Sequence, residues 1–181
     1  EAYLDVTINK KGNPSATLIA EEIRGRIYQE LGLTASAGIS INKFIAKIAS
    51  DYNKPNGQKT VYPEDVLPFL FFFDIRKFYG VGKVTAEKMY LLGIFTGKEL
   101  KERSLEFLED NFGKSGSFYY DVVRGIHKST VKPNRIQKSV AAEHTFDENL
   151  RSDIFMLERL EHIAQEVGKR LKKSEVAGKT I

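Results

Sequence analysis

The sequence predicts an α+β protein in which a small sheet with packed helices precedes an all-helical region. Apolar and polar residues alternate over residues 1–8, which is the period of a strand. Residues 16–31 and 43–52 instead repeat apolar side chains three and four positions apart, which is the period of a helix. Residues 104–126 show the same helical spacing. These periods predict strands and helices that alternate at first, followed by helices alone.

The first predicted strand, residues 1–8, carries its apolar side chains on one face. They are Ala2, Leu4, Val6 and Ile8. A turn follows at residues 10–14, and Ser15 is expected to cap the next helix because its hydroxyl can accept a first-turn amide. Gly32 is expected to end that helix.

The stretch GISINKFIAKIASDYNKPNG, residues 38–57, organises the rest of the chain. Residues 33–41 are predicted to form a second strand, and Asn42 is a plausible cap for the helix that follows. Pro55 ends this helix because it bars the helical conformation at Lys54, and Asn-Gly favours a turn. A short strand at residues 59–62 and a helix beginning at Pro63 complete a β-α-β-α-β order.

The composition excludes several classes of protein. The 181 residues are 41% hydrophobic, which is enough for one or two domains with real cores. No run approaches the ~20 consecutive apolar residues of a membrane span. The absence of cysteine excludes a disulfide framework and a thiolate metal site, and it fits a reducing compartment. A formal charge of +4 with a pI of about 9.1 suits nucleic acid only if the excess is clustered.

Residues 75–96 predict two short helices around Gly80-Val81-Gly82, the helix-hairpin-helix pattern. Paired glycines let a backbone approach a phosphate, and the next helix N-terminus presents free amides. Lys83 and Thr85 add a cation and a hydroxyl. Any turn between two helices can carry the same glycines, so the spacing alone leaves a purely structural turn open.

After residue 103 the chain is first rich in aromatic residues and then basic. The aromatic residues of 104–126 fit a packed helical core better than a base-stacking platform, and His127 is expected at the surface. Residues 122–142 contain no acidic residue, and they form either a solvated face or a nucleic-acid contact. A strand at residues 139–146 and a long helix capped by Asp153 are predicted to follow.

Several long motifs resemble one family in its own order. They are EAYLDV, GISINKFIAKIASDYNKPNG, FYGVGKVTAEKMYLLGI, FGKSGSFYYDVVRGI and KSVAAEHTF, which together cover nearly all of the chain. They resemble Y-family translesion DNA polymerases, most closely the bacterial DNA polymerase IV group. The resemblance implies template-directed synthesis past damaged bases, a role in DNA repair and the SOS response, and a cytoplasmic location at the nucleoid.

This resemblance divides the chain into four parts. Residues 1–68 are expected to be the C-terminal half of a ferredoxin-like palm. Residues 69–130 form the all-helical thumb with its helix-hairpin-helix, and residues 131–138 form a basic linker. Residues 139–181 begin a truncated α/β little finger. The chain is thus expected to be a fragment of a larger polymerase.

The resemblance also implies the residues that meet the nucleotide. Lys54 would approach the triphosphate, where an ammonium can neutralise developing charge. Glu1 would be one catalytic carboxylate of a site for two Mg²⁺ ions, which prefer oxygen ligands. The family's other metal-binding carboxylates have no counterpart in these residues, so the fragment alone is expected neither to hold both ions nor to catalyse. Asp5 has no ligand role in the family and is expected to be structural or solvated.

The expected partners are primer-template DNA and deoxynucleoside triphosphates, with no membrane. The resemblance gives the DNA contacts to the glycine turn and the basic linker: Gly80, Gly82, Lys83, Val84, Thr85, Arg135, Lys138 and Ser139. A sliding clamp would be contacted through regions outside the chain. A non-enzymatic helix-hairpin-helix DNA-binding protein is the alternative; a nucleotidyl cyclase would have no reason to carry GVGKVTAEKM.

Overall fold

Eight α-helices and a two-stranded parallel sheet form the regular structure of residues 1–10, 12–134 and 137–179, which the computed structural model describes. In chain order these elements are α1 (Ala16–Leu31), β1 (Ala37–Ile39), α2 (Lys43–Tyr52), β2 (Gln58–Thr60), α3 (Val66–Phe71), α4 (Lys83–Leu91), α5 (Gly97–Glu102), α6 (Leu105–Phe112), α7 (Lys114–Val122) and α8 (Asp153–Lys173). Short 3₁₀ turns occupy Pro63–Asp65 and Ile75–Lys77. The fold is therefore mixed and rich in helix, as predicted. The chain divides into two units, Glu1–Val131 and Lys132–Ile181.

The ends of α1 lie where the sequence predicts them. Ser15 Oγ accepts the amide of Leu18 at 3.3 Å. Gly32 adopts a left-handed conformation with φ of 67°, and its amide donates to the Tyr28 carbonyl at 2.9 Å. A left-handed residue costs little at glycine, so the helix ends there.

The sheet is a β-α-β unit in which β1 and β2 pair in parallel across α2. Ala37 lies opposite Gln58, and Ile39 lies opposite Thr60. Asn42 caps α2 as predicted, because its Oδ1 accepts the Ile45 amide at 3.0 Å. A Cβ on Gly38 would lie 1.9 Å from the Ala46 carbonyl oxygen, so glycine permits the close packing of β1 against α2.

Two predicted strands are not present. Residues 1–8 form no strand, and Leu4 and Ile8 are 64% and 94% exposed. Residues 139–146 form no strand either; two of their carbonyls accept from side chains, that of Ser139 from Gln137 Nε2 and that of Ala141 from Arg170. Alternation defines two faces, but a strand also needs a neighbouring backbone to pair with. No such ladder reaches either segment within the described residues.

The helical region differs from the prediction in detail. The first helix of the predicted pair around the glycine turn is a single 3₁₀ turn, Ile75–Lys77, capped by Asp74. The second is α4, which begins at Lys83. Helix α5 was not predicted; Thr96 and Glu99 form a capping box at its start. Helices α6 and α7 occupy the stretch with helical spacing.

One apolar core fills the first unit, and its fully buried residues extend from α2 to the end of α7. Aromatic rings form much of it: the Phe44 centroid lies 5.7 Å from that of Phe78 and 6.1 Å from that of Phe118. The aromatic residues after α5 therefore pack, as predicted. His127, which was expected at the surface, is half-buried: its ring centroid lies 6.2 Å from those of both Phe44 and Phe118. Burial, followed by the charge of Lys43, lowers the pKa of His127.

The second unit contains α8. Its cap is Ser152, whose Oγ accepts the Phe155 amide at 3.4 Å, and the prediction of Asp153 as the cap was wrong by one position. Asp153 is already the first helical residue, because the extended backbone that a cap requires occurs at Ser152. No described residue of this unit is buried. Among the described helices, none is long and apolar enough to cross a membrane.

Candidate nucleotide and DNA contact sites

Lys54 lies in the turn between α2 and β2, and its side chain is 57% exposed. Its Nζ is 2.5 Å from Asp51 Oδ1. The other oxygen of Asp51 lies 2.9 Å from Lys47 Nζ. One carboxylate therefore bridges two lysines. Asp51 was not predicted as part of this site, although its spacings of three and four residues from the lysines are those of side-chain ion pairs on a helix.

The lysines keep Asp51 charged. Burial raises the pKa of its carboxyl, but hydrogen bonds from Lys54 and Lys47 together with their charges outweigh this effect, so the pKa of Asp51 is lowered. The hydrogen bond with Asp51 is likewise the largest cause of the raised pKa of Lys47. An anion that binds at Lys54 therefore meets an ammonium that already has one negative neighbour.

The backbone of the Lys54 turn is held by Arg24 of α1. The Arg24 Nη2 donates to the carbonyl of Asn56 at 2.6 Å and to its Oδ1 at 3.0 Å. The Nε of the same side chain donates to the Ala35 carbonyl at 2.8 Å. Arg24 was likewise not predicted to belong to this site. The available signal was an arginine next to Ile23 and four residues after Ala20, on the apolar side of α1.

Glu1 joins the same charged network. Its Oε2 lies 3.4 Å from Lys47 Nζ, and its side chain is 56% exposed. Asp5 accepts the Thr7 amide at 3.0 Å, which agrees with a structural carboxylate. Among the described residues, no group of three or more His, Cys, Asp or Glu side chains could hold a metal ion. The residues present therefore do not fit a two-metal centre on their own, because Glu1 is a single carboxylate that faces a lysine.

The glycine turn presents the N-terminus of α4 to solvent. Gly80 has φ of +90°, a conformation that favours glycine. Gly82 is the N-cap of α4 and has an extended backbone; because it has no side chain, it cannot cap a first-turn amide. The amides of Lys83, Val84 and Thr85 therefore have no partner inside the helix. Lys83 is exposed, Val84 is 79% exposed and Thr85 is half-buried, so these amides can reach an anion.

A Cβ added at Gly82 would meet no atom within 4 Å. At Gly80 it would lie 3.4 Å from the Phe118 ring. Glycine at position 82 is therefore not required by contacts inside the chain. The free space at Gly82 would allow a phosphate of a bound ligand to approach the backbone closely.

The remaining expected DNA contacts lie in the second unit. Lys138 and Ser139 are exposed. Arg135 lies outside the described residues. The predicted site residues thus form two groups in the first unit. Ion pairs through Lys47 and Asp51 link Glu1 to Lys54. The other group lies at the glycine turn and the start of α4: Gly80, Gly82, Lys83, Val84 and Thr85.

Three family models match along the chain. The model of the impB/mucB/samB family matches residues 1–51, the HHH motif of the IMS family matches residues 63–94, and the C-terminal domain of the impB/mucB/samB family matches residues 137–181. The first match extends from Glu1 through α1 and β1 to α2, the second contains the glycine turn, and the third contains α8.

Curated relatives match over the full chain. DNA polymerase IV 2 of Agrobacterium fabrum is 50% identical over 181 residues, which are 100% of this chain and 51% of that protein. DNA polymerase IV of Listeria monocytogenes is 52% identical with the same coverage, and that of Leptospira interrogans is 48% identical over 100% of this chain and 50% of its own length. The chain spans about half the length of these relatives.

A solved structure gives the same relationship. The crystal structure of DinB from Sulfolobus solfataricus matches with a TM-score of 0.65 and 30% identity, over 71% of this chain and 38% of that one. Sequence motifs and family models agree along the chain, and the fold agrees over 71% of it. It therefore belongs to the impB/mucB/samB family, the Y-family of DNA polymerases, and is similar to bacterial DNA polymerase IV.

Proposed function

We propose that the chain is part of a template-directed DNA polymerase of the lesion-bypass type. The observation that carries this proposal is the 46–52% identity, over all 181 residues, with proteins named DNA polymerase IV. In this proposal residues 1–68 belong to the palm and residues 69–130 to the thumb. Residues 131–138 are the linker, and residues 139–181 begin the little finger.

In this function Lys54 contacts the triphosphate of the incoming nucleotide. An ammonium has three donors, and Asp51 occupies one side of it at 2.5 Å. The other N–H groups of the exposed Lys54 ammonium can donate to a phosphate oxygen. Such a charge-assisted contact contributes on the order of 1.5–3 kcal/mol.

Primer-template DNA would contact the N-terminus of α4. The free amides after Gly82 and the charge of Lys83 suit phosphate oxygens, and backbone amides do not distinguish bases. Arg135, Lys138 and Ser139 would add phosphate contacts from the second unit. This grip would serve a polymerase, which must hold any sequence.

The complete protein would use a divalent metal, with Mg²⁺ as the proposed ion and Glu1 as a proposed ligand. The described residues do not form this centre by themselves. What the chain's own residues supply is nucleotide charge neutralisation at Lys54 and a phosphate contact at α4. A sliding-clamp contact and a cytoplasmic, nucleoid location remain predictions.

Primer extension by the complete protein tests the proposal. The wild type should extend a primer on an undamaged template and past an abasic site. Lys54→Ala should raise the nucleotide KM, lower kcat, or both, by about 10- to 150-fold in kcat/KM, because one charge-assisted contact is lost. Lys98→Ala, on an exposed position of α5, is the matched control and should extend normally.

Three outcomes would contradict the proposal in different ways. A complete protein that binds DNA without extending any primer would instead be a helix-hairpin-helix DNA-binding protein. Normal kinetics for Lys54→Ala with a lowered melting temperature would make Lys54 structural. Template-dependent incorporation by the purified 181-residue chain would overturn the expectation that these residues alone do not catalyse.

A further inference from the structure

Arg24 connects three segments of the first unit. From α1 it donates to the Ala35 carbonyl before β1, to Gln58 Oε1 at 3.4 Å in β2, and to both Asn56 oxygens in the Lys54 turn. The two bonds to Asn56 measure 2.6 and 3.0 Å, and the bond to Ala35 measures 2.8 Å. A planar guanidinium offers five donors in a fixed fork, and four acceptors are in reach here.

The turn that receives these bonds has a demanding geometry. Asn56 lies at φ of 49°, in the left-handed region that non-glycine residues adopt uncommonly. The bonds from Arg24 reach the residue two positions after Lys54. Asn53 Nδ2 also closes the turn by donating to the Gln58 carbonyl at 2.8 Å. Arg24 therefore constrains the backbone from which the Lys54 side chain extends.

Packing alone does not account for this arrangement. Helix α1 has half-buried but no fully buried residues, and side-chain hydrogen bonds at Thr17 and Arg24 also join it to the sheet. The Arg24 hydrogen bonds differ from the other contacts because they reach the Lys54 turn as well as the sheet. Arg24 does not touch Lys54, so any effect on a nucleotide must pass through the turn.

We propose that Arg24 is a positioning residue that fixes the Lys54 turn and thereby sets the affinity for the incoming nucleotide. This inference rests on the proposed role of Lys54 at the triphosphate. It predicts that Arg24 and Lys54 act as one unit. Lysine should not replace Arg24, because one ammonium cannot reproduce a fork that spans three segments.

Steady-state kinetics of the complete protein test the inference. Arg24→Gln and Arg24→Lys should each raise the nucleotide KM by about tenfold, a size typical of losing one charge-assisted contact. The Kd for primer-template DNA should not change, because the glycine turn is left intact. Arg26→Gln is the matched control, two positions away on α1, where Arg26 pairs with Glu30 at 2.8 Å; it should leave KM unchanged.

A double-mutant cycle identifies the cause. In the Lys54→Ala background, Arg24→Gln should change KM by less than about twofold, because the group it positions is gone. Asn56→Gly provides a second route, since it deletes the Oδ1 acceptor while glycine tolerates the left-handed backbone. Asn56→Gly should also raise the nucleotide KM. It can replace Arg24→Gln in the test if Arg24→Gln lowers the yield of folded protein.

The outcomes separate the inference from the function on which it rests. If Lys54→Ala leaves the nucleotide KM unchanged, the proposed role of Lys54 fails first. If Lys54→Ala raises KM but Arg24→Gln and Asn56→Gly do not, the inference is overturned and Arg24 only joins α1 to the sheet. Fully additive effects of Arg24→Gln and Lys54→Ala would also overturn it.

Discussion

At the scale of single residues, Asp74 organises the approach to the glycine turn. Its Oδ1 accepts the Arg76 amide at 2.9 Å and the Tyr90 hydroxyl at 2.7 Å, and its Oδ2 lies 2.7 Å from Arg76 Nη2. The carboxylate thus caps the 3₁₀ turn and ties it to α4. The hydrogen bond from Arg76 is the largest cause that lowers the pKa of Asp74; burial opposes it, and the bond from Tyr90 adds to it.

Replacing Asp74 should destabilise the chain in a pH-dependent way. We expect Asp74→Ala to lower the free energy of unfolding by about 1–2 kcal/mol at pH 7, since a cap and a tyrosine bond are lost. Because the folded-state pKa lies below the ordinary 3.8, this stability is full above that value and is lost as pH falls below it. Urea unfolding of both proteins at pH 7 and pH 3 measures the difference.

Asp65→Ala is the matched control for this prediction. Asp65 precedes α3 at the cap position but makes no capping bond through its side chain. Its replacement should cost less than about 0.5 kcal/mol at either pH. A difference between wild type and Asp74→Ala that stays constant from pH 7 to pH 3 would show that the carboxylate charge is not what stabilises the turn.

Residue roles that depend on near neighbours could be predicted from the sequence. Ser15 and Asn42 cap helices as expected, because a cap bonds an amide three residues ahead. Arg24 could not be assigned its partners, since it meets residues 11 to 34 positions away only after folding. The partial burial of His127 could not be predicted for the same reason, since its ring neighbours come from α2 and α7.

At the scale of elements, helices were predicted better than strands. The period of a helix is accompanied by local signals for its start and end, as in α1 and α2. Residues 1–8 and 139–146 have the period of a strand, but pairing requires a partner that the period does not specify. The first helix before Gly80 was predicted too long because its end was not recognised. It is a single 3₁₀ turn that begins after Asp74 and ends before Phe78, where the backbone is already extended.

The N-terminus of α4 is the element whose proposed function can be tested directly. Gly82→Val adds bulk where a Cβ meets no atom within 4 Å and where the backbone, at φ of −79°, accepts valine. We expect it to weaken binding to duplex DNA by about tenfold or more, because a phosphate can no longer approach the free amides. Lys83→Ala should flatten the log-log salt slope by about 0.9, one phosphate contact.

Titrations of matched and scrambled duplexes at several salt concentrations measure both effects. Gly25→Val, on α1, is the control because a Cβ at Gly25 also meets no atom within 4 Å. It should leave the affinity unchanged. Affinity that does not depend on salt, a strong preference for one sequence, or equal losses for the two valine variants would contradict a phosphate contact at Gly82.

At the scale of the whole molecule, the two units differ in what stabilises them. Every fully buried apolar side chain among the described residues lies in Glu1–Val131. The 21-residue helix α8 buries none of its residues and leaves Ile154, Leu157 and Leu160 between 61% and 75% exposed. A helix with no buried residue gains little from tertiary packing, and helices that depend on their own propensity are marginally stable in water. Cooperative stability should therefore reside in the first unit.

Two leucine-to-alanine changes measure this asymmetry in the 181-residue chain. Leu108 of α6 is 0% exposed and Leu160 of α8 is 61% exposed. Leu108→Ala should lower the free energy of unfolding by about 2–5 kcal/mol, because it removes buried methyl groups and leaves a cavity. Leu160→Ala should change it by less than about 0.5 kcal/mol, since water already covers most of that side chain.

In native-state hydrogen exchange, amides of α8 should exchange before those of α6, because a helix without buried residues opens locally. Equal costs for the two variants, or equal protection of the two helices, would show that α8 has a packed core of its own.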